Sequence, residues 1–473
     1  MSATPPHCDT PLATARRPQQ TAHARWVLWT TILASSMAFV DGSVVNVGLP
    51  AIQAGLHADP AALQWVINAY LLPLGALLLL GGAAGDRLGR KAVFIAGIAA
   101  FGAASAVCAA AWNLPVLLLA RAVQGVAAAF VLPNSLAILG TSFSEAARGR
   151  AIGFWAAAGA AVGAAGPMIG GWLIDAFGWR TVFMINLPLA ALALAMAAVF
   201  VREAPPAARQ ARLDLWGSTL ATLGLGAVTW ALTVASGSAG WTGAAGVLLL
   251  AGLALLAAFL KVEAARGEHA AMPLALFSSS TFVGLTVLTL LVYGALGALL
   301  LLIPYVLIEG SHFSATAAGA ALLPAPLVIA VLSPAAGALA GRLGARRLLV
   351  GGSLLVALGF LVLLLERADS GYWPVIFPSL LLVAVGMSAV AAPLTTAVLA
   401  AAGPGSAGAA SGLNSAVSRV GGTFAVALLG GILGSAGTQL LQAFRLAAIA
   451  AAVACFAAAA VALVMVKDTR EAR

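Results

Sequence analysis

Charge is what this 473-residue chain has least of: Asp, Glu, Lys and Arg make up 8% of it, against about 25% in a soluble globular domain. With 62% of residues hydrophobic and a mean hydropathy of +1.04, a soluble fold is excluded and a polytopic membrane protein is expected. The three cysteines, Cys8, Cys108 and Cys455, show neither metal-ligand spacing nor a disulfide framework. The five histidines, His7, His23, His57, His269 and His312, fall in tails or loops without partners. No nucleophile triad or metal constellation can be drawn from them, so neither an enzyme nor a metal site is expected. The Gly-x-x-x-x-Gly-Lys-Ser/Thr loop of nucleotide-driven pumps is missing as well. No cofactor is therefore expected, and uphill work would draw on an ion gradient. The formal charge of +9 comes from short separated loops rather than an aromatic-interleaved basic face, which excludes nucleic acid as a partner.

What the chain does have is apolar runs. Runs long enough to cross a hydrocarbon core of about 30 Å, roughly 20 helical residues, begin near Trp26, Gln64, Ala92, Pro115, Ala151 and Val182. Others begin near Leu215, Gly246, Thr281, Thr316, Leu348, Trp373, Ser406 and Phe444, about 14 in all. Of 24 Lys and Arg, 19 fall in the tails or in even-numbered loops and only Arg180 and Arg367 in odd-numbered ones. By the positive-inside rule both termini are expected in the cytoplasm. The polar stretch from Met1 to Arg25 precedes an apolar run too long for a cleaved signal peptide. A composition rich in Ala, Gly and Leu points to a bacterium with a GC-rich genome, and so to an inner membrane.

The chain is organised around Gly82 to Lys91, GAAGDRLGRK, a short charged turn between the apolar runs Leu71 to Leu80 and Ala92 to Ala111. It recurs as GALAGRLGARR at Gly337 to Arg347, after the tenth run, with Gly341 where the first copy has Asp86. Two parallel six-helix halves with two inserted helices follow from this repeat, a transporter signature. The expected boundaries are a tail (1–25), a first bundle (26–201), a linker (202–214), two inserted helices (215–262), a linker (263–280), a second bundle (281–467) and a tail (468–473).

These residues resemble the major facilitator superfamily. Its loop signature G-x-x-x-D-R-x-G-R-K is matched by Gly82, Asp86, Arg87, Gly89, Arg90 and Lys91, and fourteen helices narrow the resemblance to the drug:proton antiporter branch. DGSVVNVGLP from Asp41, QWVINAYLL from Gln64, RAVQG from Arg121, GPMIGG from Gly166, WRTVFMINLP from Trp179 and SGLNSAVSRVGG from Ser411 agree with it, over roughly Trp26 to Val466. Val162 stands where the family's fifth-helix motif usually has glycine, with Gly163 one step late. The resemblance implies an all-α fold and a monomer in the lipid bilayer. It further implies proton-coupled efflux of small, lipophilic drugs or toxic compounds by alternating access. Export of one dedicated metabolite or antibiotic, or uncoupled facilitation, is the alternative.

Asp41 is the only acidic residue well inside an apolar run, where an ionisable group is expensive and functional by default. Counting about 1.5 Å per residue from Arg25 places it roughly 24 Å up the first helix, in its outer third. Arg121 enters the fourth helix from outside by roughly 9 Å, and Gln124 lies on the same face three residues on. The similar depths make Asp41, Arg121 and Gln124 a candidate proton-coupling site, since a carboxylate's proton affinity rises with desolvation and falls beside a cation. A fixed ion pair that only locks two helices is the competing reading.

Three further groups follow from the resemblance. Gly82, Asp86, Arg87, Gly89, Arg90 and Lys91 would form a conformational latch. In it Asp86 meets the positive end of the thirteenth helix, near Ser406, and Arg90 pairs with Glu145. Gly166, Pro167, Gly170 and Gly171 would form an antiporter motif in which small residues let helices approach closely. Asn68, Tyr70, Asn134, Trp155, Tyr293, Tyr305, Asn414 and Arg419 are substrate-cavity candidates, each equally compatible with helix packing or the interfacial aromatic belt. With one membrane acid, the expected cargo is a lipophilic neutral compound or a monocation, or an anion drawn to Arg121 or Arg419.

Overall fold

The computed structural model describes residues 19–143, 145–203, 215–236, 240–267, 272, 274–367, 371–402, 407–429, 432 and 437–467. Among these no strand occurs, and helices hold nearly everything. The first half comprises α1 (Gln19–Leu56), α2 (Pro60–Leu88), α3 (Arg90–Ala110), α4 (Leu114–Ser142), α5 (Glu145–Phe177), α6 (Thr181–Met184) and α7 (Asn186–Phe200). An inserted pair follows, α8 (Leu215–Ser236) and α9 (Gly243–Arg266). The second half comprises α10 (Ser280–Glu309), α11 (Ala315–Ala321), α12 (Pro324–Leu343), α13 (Ala345–Val362), α14 (Phe377–Ala402), α15 (Ala407–Leu428) and α16 (Gly437–Met465).

Local chemistry sets the breaks. Asn113 caps α4, its side chain accepting from the Val116 N–H at 3.0 Å with Pro115 in the first turn. Thr242, Ser279 and Ser314 cap α9, α10 and α11 in the same way. The expected repeat appears in the backbone: Gly89, with φ 101°, ends α2, and Gly344, with φ 93°, ends α12. Both turns need the left-handed region that glycine enters without a Cβ penalty. The end of the bundle carrying these turns is termed the basic face, and the opposite end the far face.

Among the described residues twelve helices are long and apolar enough to cross a membrane, or thirteen if the bent α2 counts as one span. The sequence led us to expect about fourteen. The helix left over is α15, whose 22 residues suffice in length but include Ser411, Asn414, Ser415, Ser418, Arg419 and Thr423. One correction concerns depth: α1 runs on to Leu56, so Asp41 lies near the middle of its helix rather than in the outer third.

Small residues set the close helix contacts. A Cβ on Gly224 of α8 would lie 2.9 Å from Leu256 of α9, and one on Gly252 would lie 2.8 Å from Val228, so the inserted helices pack backbone to backbone. The pair docks over the seam between the halves. Trp230 of α8 meets Trp65 of α2 edge to face at 5.6 Å, and Ser236 donates to the Ala427 carbonyl of α15 at 2.8 Å. One buried apolar core runs from the second half into the far-face end of the first, through Val45, Ile52, Leu63, Leu117 and Phe183. The basic-face end of the first half packs as a separate core around Met37, Phe94, Phe101 and Leu132. The halves are thus joined by continuous apolar packing at the far face.

Candidate functional site

The first half buries a polar cluster where α1, α3, α4 and α7 meet. Asp41, Gln124 and Asn186 are fully buried and Arg121 is 1% exposed. Arg121 Nη1 donates to Asp41 Oδ2 and, at 2.9 Å, to Gln124 Oε1, while its Nε donates to the Val66 carbonyl of α2 at 2.9 Å. Gln124 Nε2 and Asn186 Nδ2 each donate to Asp41 Oδ1 at 3.3 Å. Gln124 is fixed in turn by Ser105 Oγ, 2.7 Å away, and by the Cys108 thiol, which donates to its Oε1 at 3.2 Å. The guanidinium lies over the Tyr70 ring at 4.4 Å and near the Phe183 ring at 5.7 Å, a desolvated cation–π setting. Every strong bond to the carboxylate thus comes from a donor that suits its charged form. A buried pair of this kind is costly to half-remove, because the surviving charge has nowhere to go.

The structure brings together the three residues expected to pair, and adds Asn186, Ser105 and Cys108. Asn186 belongs to the WRTVFMINLP run and is its only carboxamide, a signal available beforehand. Ser105 and Cys108 carry no such mark, since small polar residues in apolar helices commonly bond their own backbone, as Ser105 also does to the Phe101 carbonyl at 2.8 Å.

At the basic face, Asp86 accepts from Arg90 Nε at 3.0 Å and Nη2 at 2.8 Å, and Arg90 Nη1 reaches the Ala137 carbonyl of α4 at 3.3 Å. Lys91 donates from its Nζ to the Ala198 carbonyl at 2.9 Å and from its backbone to Glu203 Oε1 at 3.3 Å. Gly82 packs on Pro133 and Arg87 is exposed. Asp86 is therefore bound within its own half. The expected contact with the start of the thirteenth helix and the Arg90–Glu145 pairing both involve atoms outside the described residues.

On α5 the glycines divide between two neighbours. A Cβ on Gly166 would collide with Ser43 and one on Gly170 with Val44, both on α1. One on Gly171 would collide with the Ala315 carbonyl of α11, and one on Gly319 of α11 with the Pro167 carbonyl. The motif thus clamps α5 to α1 within the half and to α11 across the seam, near the far face. Asp175, which the sequence reading passed over, completes this contact. Its carboxylate accepts from the Ala315 N–H at 3.2 Å, the Thr316 N–H at 2.8 Å and the Thr316 hydroxyl at 2.6 Å.

Of the cavity candidates, Asn68, Tyr70, Asn134 and Tyr305 are buried in helix packing. Asn134 ties α4 to α2 by donating to the Gly81 carbonyl at 2.8 Å, and the Tyr70 hydroxyl donates to the Ala38 carbonyl at 2.9 Å. Trp155 is half-buried and donates to Ser35 Oγ at 3.0 Å. Asn414 accepts from the Thr289 hydroxyl of α10 at 2.7 Å. Tyr293 and Arg419 are half-buried. Helices that are apolar all round give no polar face from which a lone Asn or Tyr could be oriented beforehand.

The chain can now be placed among known proteins. Multidrug resistance protein Stp of Mycobacterium tuberculosis is 32% identical over 407 residues, spanning 86% of this chain and 75% of that protein. The probable actinorhodin transporter of Streptomyces coelicolor is 34% identical over 431 residues, spanning 88% and 74%. A bacterial homologue of the human lysosomal transporter Spinster, crystallised inward-facing and occupied, shares the fold with a TM-score of 0.68 at 16% identity, over 97% of this chain and 99% of that one. The profile of the Major Facilitator Superfamily matches residues 31–288 and 285–473, together nearly the whole sequence, and to that superfamily the chain belongs.

Proposed function

We propose that this protein exports small, lipophilic drugs or toxic compounds across a bacterial inner membrane by alternating access, in exchange for protons. The basic face is cytoplasmic, as the distribution of Lys and Arg implies. With the halves packed together at the far face, the molecule is in a cytoplasm-facing state. The observation that carries the coupling is the fully buried Asp41, held by Arg121, Gln124 and Asn186.

Deprotonated Asp41 balances the Arg121 charge. When a proton from outside neutralises Asp41, that attraction is lost and Arg121 becomes an uncompensated cation in low dielectric, a state worth several kcal/mol. The packing of α1 against α4 then favours a different arrangement, and the α1–α5–α11 contacts at Gly166, Gly170 and Gly171 carry the change to the other half. Release of the proton to the cytoplasm restores the pair. The Gly82–Lys91 turn, with Asp86 free to exchange Arg90 for a partner across the seam, acts as the latch of the outward-facing state. Protons and the small-molecule cargo are the ligands, and one chain suffices.

The likeness to the probable actinorhodin transporter favours a second reading, export of one dedicated metabolite. Efflux and resistance measurements in a pump-deficient bacterium test both, with cationic, neutral and anionic compounds, with and without an uncoupler, for the intact protein and Asp41→Asn. Lowered accumulation of several unrelated compounds, abolished by both uncoupler and substitution, is expected. Movement of a single compound class points to dedicated export, and uphill efflux retained by well-expressed Asp41→Asn overturns the coupling role.

A further inference from the structure

Among the described residues Asp41, Arg121 and Arg419 are unequally matched. Asp41 and Arg121 neutralise each other, and the remaining Arg121 donors reach Gln124 and Val66. Arg419 stands on α15 twelve residues from its start, about 18 Å along the helix. Among the described residues its guanidinium makes no hydrogen bond and no ion pair. Arg445, also half-buried, does find a partner, donating to the Glu366 carbonyl at 2.6 Å. A helix-locking arginine would show such a bond, because an unpaired guanidinium away from bulk water is expensive.

The neighbours of α15 fix where this side chain points. Asn414 bonds α10 and Gly421 packs on it, whereas Val420, Thr423 and Phe424 face α8. Arg419 leaves the helix between these two sides, its Cβ 3.3 Å from where a Cβ on Gly75 of α2 would stand. It therefore projects towards the first half, where it remains half-buried rather than enclosed. There it faces α2, the helix that also carries Tyr70. Tyr70, five residues before Gly75 on that helix, is the residue whose ring lies beneath Arg121, so Arg419 and the proposed proton site have α2 as a common neighbour.

We infer that the exported compounds carry an anionic group, a carboxylate or an acidic phenol, and that Arg419 receives it; this names the cargo class of the efflux reading and rests on it. The planar fork of the guanidinium suits a carboxylate held by two parallel bonds. An anion at Arg419 also attracts a proton to Asp41, so charge alone does not make the two ligands exclude each other, and their alternation comes from the change of conformation. An anion leaving and a proton entering move charge in the same sense. The cycle is then electrogenic, and an inside-negative potential drives it.

Transport by the purified protein in liposomes tests this, using matched fluorescent naphthalene and anthracene probes that carry a carboxylate, a carboxamide or a methylammonium group. The intact protein is expected to move each carboxylate about tenfold or more faster than its amide, and faster again under an imposed inside-negative potential. Arg419→Gln is expected to erase the preference while still moving the amide, and Arg419→Lys to retain part of it, which keeps a charge effect distinct from misfolding. Amide or ammonium moved as well as carboxylate, or a preference surviving in Arg419→Gln, overturns the inference and leaves efflux standing. No movement of any probe counts against the efflux reading, and this inference falls with it.

Discussion

The two halves turn at the same glycine and then differ in what they bury. Gly89 and Gly344 share the left-handed backbone that ends α2 and α12, yet the residue three places earlier is Asp86 in one and Gly341 in the other. The first half encloses a charged cluster in which each member has partners. The second has a neutral Asn414–Thr289 bond and Arg419, whose guanidinium has no partner among the described residues. A repeated backbone therefore does not require repeated chemistry. Turn geometry depends on the glycine alone, whereas the side chains inside each bundle differ, and in the cycle proposed above the first half holds the proton and the second meets the cargo.

The sharpest way to break this comparison is to remove one arginine from each half. Arg121→Ala leaves Asp41 buried and unpaired, a cost of about 3–5 kcal/mol, and thermal unfolding in detergent should show a large loss of stability. Arg419→Ala orphans no partner and should leave the unfolding temperature nearly unchanged while altering transport. Equal destabilisation by the two would contradict the assignment.

Next in size is the seam. Gly319→Val places side-chain atoms against the Pro167 carbonyl, and the far face should no longer close. Spin labels on the far-face ends of α5 and α12 should then report longer separations, with transport lost at normal expression. A smaller effect is expected from Asp175→Asn. It weakens the charge-assisted bonds to Ala315 and Thr316 by about 1 kcal/mol, and should shift the same distance distribution part of the way.

The smallest effect concerns Glu366, just beyond the end of its span at the far face. Burial pushes its carboxyl up to about 7, with the Arg445 charge pulling the other way. A carboxylate with a raised folded value favours the folded state below its ordinary 4.5 and loses that contribution as pH rises through about 7. The intact protein should thus lose stability between those values, and Glu366→Gln should flatten the curve. A parallel curve for the variant would remove Glu366 from the account.

Much of this was legible in the sequence, for identifiable reasons. Asp41, Arg121 and Gln124 could be found because charge is so scarce in apolar runs that each instance stands out, and the Gly82 and Gly337 turns because glycine and arginine punctuate them. Asn186 and Asp175 were harder to see: one lies within a run read only as a family match, the other lies two residues from the end of α5, outside the middle of any apolar run. Asn134 and Tyr305 could not be oriented from sequence, since nothing in an apolar helix marks which side faces a neighbour. The run near Ser406, counted from the sequence as a span, is the 22-residue helix α15, whose polar residues dilute its hydropathy and keep it out of the twelve or thirteen candidate spans among the described residues.

The central claim is that Asp41 takes up the proton exchanged for cargo. It is tested most directly by the intact protein and Asp41→Asn in liposomes loaded with a pH-sensitive dye, given a gradient of the compound best exported in cells. The intact protein should move protons against the compound, with a dye response that stops when the compound is omitted. Asp41→Asn should show none while still exchanging the compound down its own gradient. A compound-dependent proton flux of normal size in Asp41→Asn would contradict the account.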